Sequence, residues 1–122
     1  MLVEEYLQEE VCRYMVIQES NHGAYILQLS GALDFKARVV FQDAIKKGQD
    51  SGHKCIILDF QNVPFIDSSA LGLLSLAADA LKKEAIALRL VRPQEAVRKI
   101  LDLVNIKNTI PIFSNIDDAV SS

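Results

Sequence analysis

The residues with the clearest chemical potential form the run Asp67-Ser68-Ser69, which precedes an apolar segment rich in leucine and alanine. A serine or aspartate at the start of a helix accepts hydrogen bonds from the unpaired N–H groups of the first turn. On local sequence alone, this capping role is the commoner one. A serine hydroxyl there is also a good phosphate acceptor, because the positive end of the helix dipole stabilises the added negative charge.

The neighbours of these serines favour the second role. Ala70 and Gly72 are small, so another protein surface can approach the first turn of the helix closely. A phosphate on Ser68 beside Asp67 would repel an acidic or apolar partner while the domain stays folded. These residue types are compatible with control of partner binding by phosphorylation at this junction, and they leave open whether Ser69 is modified as well.

The other reactive side chains do not form a catalytic or metal-binding pattern. A nucleophilic serine needs a general base, and the sequence lacks the Gly-x-Ser-x-Gly elbow and the Gly-rich phosphate loops. His22 and His53 lack neighbours at zinc-site spacing, and Cys12 and Cys55 do not form a close pair. We therefore predict no enzymatic activity, no cofactor and no metal site, and the cysteine usage favours the cytoplasm.

Alternating strands and helices must position the serines. Residues 13–18 and 24–30 read as strands joined by turn residues, which predicts an antiparallel hairpin. An amphipathic helix capped by Asp34 should follow, since small and apolar residues recur at helical spacing: Ala37, Val40, Phe41, Ala44, Ile45 and Gly48. The nearly continuous apolar run 55–60 predicts a central strand covered on both faces.

The second half of the chain continues the alternation. We predict, in order, a helix over 68–84, a strand over 86–91, a helix beginning near Pro93, an edge strand over 109–113 containing Pro111, and a last short helix capped by Asn115. This order predicts a single α/β domain at residues 13–122: a mixed, mostly parallel sheet with an N-terminal antiparallel hairpin and about four flanking helices. The acidic residues 1–12 are predicted to be an N-terminal extension.

The predicted topology gathers the loops that follow the strands along one edge of the sheet, here called the carboxyl rim. It comprises residues 31–34, 64–69 and 92–93. In open α/β sheets this edge is where ligands and partners usually bind. The serine run therefore falls on the predicted binding edge.

The overall composition narrows the class of partner. The 122 residues suit one domain, and a net charge of −3 argues against nucleic acid as the main partner. No apolar run approaches the roughly 20 residues that span a bilayer. A basic start followed by an apolar stretch is absent, so we expect neither membrane insertion nor secretion through a signal peptide.

From about residue 13 to residue 120 the sequence resembles the STAS domain, the sulfate transporter and anti-sigma factor antagonist family. Three segments carry the resemblance: 29–34 (Leu-Ser-Gly-Ala-Leu-Asp), 56–60 (Ile-Ile-Leu-Asp-Phe) and 66–72 (Ile-Asp-Ser-Ser-Ala-Leu-Gly). The lack of a membrane part makes the chain similar to the stand-alone bacterial antagonists. The resemblance implies a STAS-like fold.

The resemblance also implies a regulatory cycle. In the antagonists the serine directly after the aspartate is phosphorylated by the anti-sigma factor, an ATP-dependent serine kinase, and this position corresponds to Ser68. The unphosphorylated antagonist binds the kinase and releases the sigma factor, and a serine phosphatase resets the cycle. The implied partner-binding residues are Asp34, Asp67, Ser68, Ser69, Ala70 and Gly72. A weak homo-oligomer is compatible with this expectation.

Ala70 stands where the family usually has glycine. Its extra methyl group is expected at the point where a kinase would approach. Ala70 therefore favours an alternative, a non-enzymatic scaffold or adaptor in a larger signalling or transporter assembly without an obligatory phosphate cycle. A third candidate, a sensor that binds a nucleotide or lipid on the carboxyl rim, has no supporting sequence motif.

Overall fold

Five strands form one sheet in the computed structural model, which describes residues 15–21 and 23–121. The strands are β1 (Met15–Asn21), β2 (Ala24–Ser30), β3 (Cys55–Asn62), β4 (Ala87–Val91) and β5 (Ile112–Phe113). They lie in the order β1-β2-β3-β4-β5; β1 pairs with β2 antiparallel, and the other pairings are parallel. The predicted mostly parallel sheet with an antiparallel hairpin is confirmed.

Four α-helices connect or follow these strands in the described part of the chain. They are α1 (Arg38–Asp50), α2 (Ser68–Lys83), α3 (Glu95–Leu103) and α4 (Ile116–Ser121). Two 3₁₀ turns precede α1 and β5, at Phe35–Ala37 and Ile106–Asn108. Helices α1, α2 and α3 pack on one face of the sheet, and α4 covers part of the other.

Strand β3 lies at the centre of the sheet, as its continuous apolar run predicted. Ile56 and Leu58 face the core beneath α1 and α2, whereas Ile57 faces α4, and all three are fully buried. Successive side chains of a strand point to opposite faces of the sheet, so a strand covered on both faces buries apolar side chains on each of them. The loop that follows β3 is consequently attached to the most enclosed strand of the domain.

Helix α1 packs closely on the sheet through the face predicted from its periodicity. Phe41, Ala44, Ile45 and Gly48 are buried. A Cβ atom at Gly48 would lie 2.9 Å from Cδ1 of Ile56, which is closer than a carbon contact allows. The absence of a side chain at Gly48 therefore sets how near α1 lies to the sheet.

The largest departure from the predicted elements is in the strand expected at 109–113. Only Ile112 and Phe113 pair with β4, because the preceding 3₁₀ turn uses the N–H groups of Thr109 and Ile110. Both groups donate to the carbonyl oxygen of Ile106, at 2.8 and 2.7 Å. The strand still lies at the sheet edge, as expected from Pro111.

The ends of two other elements also differ. Strand β1 (Met15–Asn21) continues three residues past the predicted end at residue 18, and α3 begins at Glu95, two residues after Pro93. Residues 13 and 14, where the strand was predicted to begin, lie outside the described residues. The predicted extension at residues 1–12, together with Cys12 and His22, lies outside the described residues.

Candidate functional site

Asp67 caps helix α2 and leaves the next serine available. Its backbone is extended (φ −111°, ψ −176°), and its Oδ1 accepts a hydrogen bond from the Ala70 N–H at 3.1 Å. Ser68 is the first helical residue; it is exposed and its hydroxyl makes no hydrogen bond to any residue in the described part of the chain. The two roles considered from the sequence are thus divided between two residues: Asp67 caps the helix and Ser68 presents a free hydroxyl.

The loop after β2 has the same arrangement as the loop before α2, and the two loops are paired. Leu33 and Ile66 form a parallel bridge, with Leu33 N–H donating to the Phe65 carbonyl at 3.0 Å and Asp67 N–H to the Leu33 carbonyl at 3.3 Å. Asp34 follows Leu33 and caps its own helical turn, accepting a hydrogen bond from the Ala37 N–H at 3.2 Å. Asp34 and Asp67 are therefore neighbours on the carboxyl rim.

The bridge aligns the two loops and the helical segments that follow them. Equivalent positions share one sequence offset: Leu33 with Ile66, Asp34 with Asp67, Phe35 with Ser68, Ala37 with Ala70, and Val39 with Gly72. The burial pattern agrees, since Ala37 and Ala70 are both buried and Phe35 and Ser68 are both exposed. Phe35 therefore occupies, in its own loop, the place that Ser68 occupies in the next.

The position of Ala70 corrects one expectation. Its side chain is fully buried in the core beneath the two loops, so it cannot contact a partner, and the predicted obstruction of an approaching kinase is wrong. The reason is helical geometry, because the third residue of α2 points back towards the sheet. Ser69 is half-buried and Gly72 is exposed. Both remain compatible with a contact surface, together with Asp34, Asp67 and Ser68.

A buried ion pair, which the sequence reading did not identify, supports the carboxyl rim. Asp59 is 3% exposed and accepts hydrogen bonds from the Arg92 guanidinium through both carboxylate oxygens. The same carboxylate accepts the Gln61 N–H at 3.1 Å, and Gln94 Nε2 donates to the Gln61 carbonyl at 2.9 Å. These contacts tie the end of β3 to the loop after β4. Asp59 stands out in the sequence as an acid inside the apolar run of β3. Its pairing with Arg92 could not be predicted, because it depends on which strand lies beside β3.

Arg92 is held in an unusual backbone conformation. Its φ is 54°, in the left-handed region, which costs a non-glycine residue about 1 kcal/mol. The Arg92 N–H donates to the Phe113 carbonyl at 3.1 Å, and the hydrogen bond to Asp59 raises the pKa of the guanidinium above its ordinary value. Arg92 therefore stays positively charged at every pH at which the domain is folded, and it provides the counter-charge for the Asp59 carboxylate.

The remaining reactive groups stay separate. Burial raises the pKa of the Cys55 thiol, although nearby Arg89 acts in the opposite direction, so the thiol is not poised as a thiolate. The His53 ring contacts Ser51 and Tyr25. Among the described residues, no three histidine, cysteine or carboxylate side chains are grouped as metal ligands. Over the same residues, no helix has the length and apolar character needed to cross a bilayer.

The capping contact gives a direct test of this geometry. Replacing Asp67 with alanine should lower the free energy of unfolding by about 1 kcal/mol, because the Ala70 N–H loses its side-chain acceptor and keeps only the Asp67 carbonyl oxygen. Asp67→Asn, which retains an acceptor oxygen, is the matched control and should cost less. Urea unfolding followed by circular dichroism measures both variants. Equal stability of Asp67→Ala and the parent chain would show that the cap contributes nothing.

Comparisons with known proteins agree with this architecture. A family model described as the STAS domain matches residues 14–119. A STAS-domain containing protein of Pseudomonas aeruginosa is 33% identical over 86 residues, which are 70% of this chain and 84% of that protein.

Two solved structures show the same fold. An anti-sigma factor antagonist from Mycobacterium paratuberculosis has a TM-score of 0.80 at 23% identity, covering 88% of this chain and 92% of its own. The Bacillus cell fate determinant SpoIIAA in its phosphorylated form has a TM-score of 0.66 at 22% identity, covering 88% of this chain and 97% of its own.

Proposed function

This chain belongs to the STAS domain family, and we propose that it is an anti-sigma factor antagonist whose binding to an ATP-dependent anti-sigma serine kinase is controlled by phosphate on Ser68. One observation carries the proposal. The Ser68 hydroxyl is exposed and has no hydrogen-bond partner in the described chain, because the neighbouring Asp67 takes over the capping role.

The surroundings of Ser68 suit a switch based on charge. A phosphate there would lie at the amino end of α2, where unpaired N–H groups and the helix dipole stabilise negative charge. It would add about −1.5 to −2 charges next to the carboxylates of Asp34 and Asp67. A partner that fits the neutral hydroxyl would then face three negative groups. The fold tolerates the phosphate while the interface does not.

The contact surface proposed for the kinase consists of Asp34, Asp67, Ser68, Ser69 and Gly72. Ala70 supports this surface from beneath and does not touch the partner. Half-burial of Ser69 makes it a poorer acceptor than Ser68. The proposal assigns the chain a binding role in the cytoplasm, without catalysis or nucleic-acid contact, and a serine phosphatase removes the phosphate.

The proposal is tested with a purified anti-sigma serine kinase from the same genome, loaded with its sigma factor. Adding the unphosphorylated chain should displace the sigma factor and form a kinase–antagonist complex, which size-exclusion chromatography with light scattering resolves. A chain that instead forms a large self-assembly and leaves the sigma factor bound would favour the scaffold role.

A further inference from the structure

Phe35 exposes an aromatic ring at the position equivalent to Ser68. Its side chain is 57% exposed, although a phenylalanine normally contributes most when buried. The ring is held in place: the Arg38 guanidinium carbon lies 3.7 Å from the ring centroid, and Arg38 Nη1 donates to the Phe35 carbonyl at 2.9 Å. A ring fixed in this way loses little conformational entropy when a partner covers it.

The exposed ring begins an apolar surface that continues along both helices. Val39 lies one turn further along α1 and is 64% exposed, and Leu76 on α2 has the same exposure. Gly72 lies one turn before Leu76 on α2, and a Cβ atom there would meet no neighbouring atom within 4 Å. Phe35, Val39, Gly72 and Leu76 are therefore exposed on the two segments that the bridge aligns, and these four residues are here called the α1–α2 face.

This inference rests on the proposed function and specifies how the partner docks. We propose that Phe35 is the aromatic anchor by which the serine kinase acting on Ser68 recognises this chain. Aromatic side chains that are fixed before binding and covered at the centre of an interface contribute disproportionately to affinity. The matching kinase surface is an apolar pocket for the ring with an acidic group beside it, which pairs with Arg38.

The position of the anchor identifies the kinase as the occupant of the α1–α2 face. The bridge between Leu33 and Ile66 lies two residues before both Phe35 and Ser68, so the two side chains occupy equivalent places in neighbouring loops, and the proposed kinase contact with Ser68 extends to the ring. The most exposed large apolar side chain in the described chain, Leu103 at 81%, lies on α3, away from both loops. Exposure alone therefore does not single out Phe35. Phe65, 53% exposed, also lies in the Ser68 loop, but Phe35 has its ring held by the Arg38 guanidinium and aligns with Ser68 itself.

The test compares Phe35→Ala with Leu103→Ala, which also removes an exposed apolar side chain. With the purified kinase and no ATP, calorimetry should show at least about 30-fold weaker binding for Phe35→Ala and unchanged affinity for Leu103→Ala. Phe35→Tyr, which keeps the ring, should bind as the parent does. With ATP, Phe35→Ala should raise KM for Ser68 phosphorylation and leave kcat nearly unchanged, since the ring contributes to binding and takes no part in the transfer of the phosphoryl group.

The outcomes separate this inference from the proposed function. Parent-like affinity and KM for Phe35→Ala, with Ser68 still phosphorylated, would overturn the anchor and leave the phosphate switch standing. A kinase that binds the parent chain more tightly than Phe35→Ala, yet never modifies Ser68, would support the anchor and overturn the switch.

Discussion

Replacing Ser68 with aspartate is expected to weaken binding of the proposed kinase partner by at least about 100-fold while the domain stays folded. The new carboxylate would join those of Asp34 and Asp67, which the bridge between Leu33 and Ile66 brings together. Covering this added charge with a partner removes it from water, which costs several kcal/mol, and about 1.4 kcal/mol corresponds to tenfold in affinity. At the first position of α2 the same charge is favourable for the helix.

Two matched variants separate local charge from other effects. Ser68→Ala removes the hydroxyl without adding charge and should bind the kinase nearly as tightly as the parent chain. Asn108→Asp adds the same charge to an exposed residue in the 3₁₀ turn before β5, away from the carboxyl rim, and should leave affinity unchanged. Calorimetry reports the affinities, and far-UV circular dichroism reports the fold. Equal losses for Ser68→Asp and Asn108→Asp would contradict a local switch.

Replacing Arg92 with methionine should lower the free energy of unfolding by about 2–4 kcal/mol. The variant leaves the Asp59 carboxylate, whose side chain is 4% exposed, without its counter-charge inside the sheet. We expect less than the full effect of a buried pair, because the Arg92 side chain is 35% exposed. Loss of the pair also releases the end of β3 from the loop after β4.

The surface pair of Arg98 and Asp102 on α3 provides the comparison within the same chain. Its side chains are 44% and 46% exposed, so Arg98→Met should cost no more than about 0.5 kcal/mol. A double-mutant cycle with Asp59→Asn and Arg92→Met, followed by urea unfolding, isolates the coupling of the buried pair. Equal losses for Arg92→Met and Arg98→Met would show that the buried pair carries no special stability.

The elements of the fold follow from local sequence patterns. The continuous apolar run of β3 indicated a strand covered on both faces, and the helical recurrence from Ala37 to Gly48 indicated α1. Each pattern reflects which side chains must leave water, a requirement that operates within one element. Strand β5 was overestimated because the competing 3₁₀ turn at Ile106–Asn108 depends on backbone hydrogen bonds that composition does not specify.

The site was only partly predictable for a related reason. Asp67 and Ser68 were identifiable from their types and spacing, but the inward direction of Ala70 depends on where helix α2 begins. The pairing of Asp59 with Arg92 and the alignment of Phe35 with Ser68 both depend on which strands are neighbours. Contacts between segments far apart in the sequence depend on the order of the strands in the sheet. The spacing of residue types along the chain does not specify that order.

The most direct test of the account is the location of phosphate after the chain is incubated with the proposed anti-sigma kinase and ATP. Tandem mass spectrometry should find one phosphate, on Ser68, in the parent chain and in Ser69→Ala, and none in Ser68→Ala. An unmodified Ser68, with a kinase shown to hydrolyse ATP and to bind the chain, would contradict the central claim.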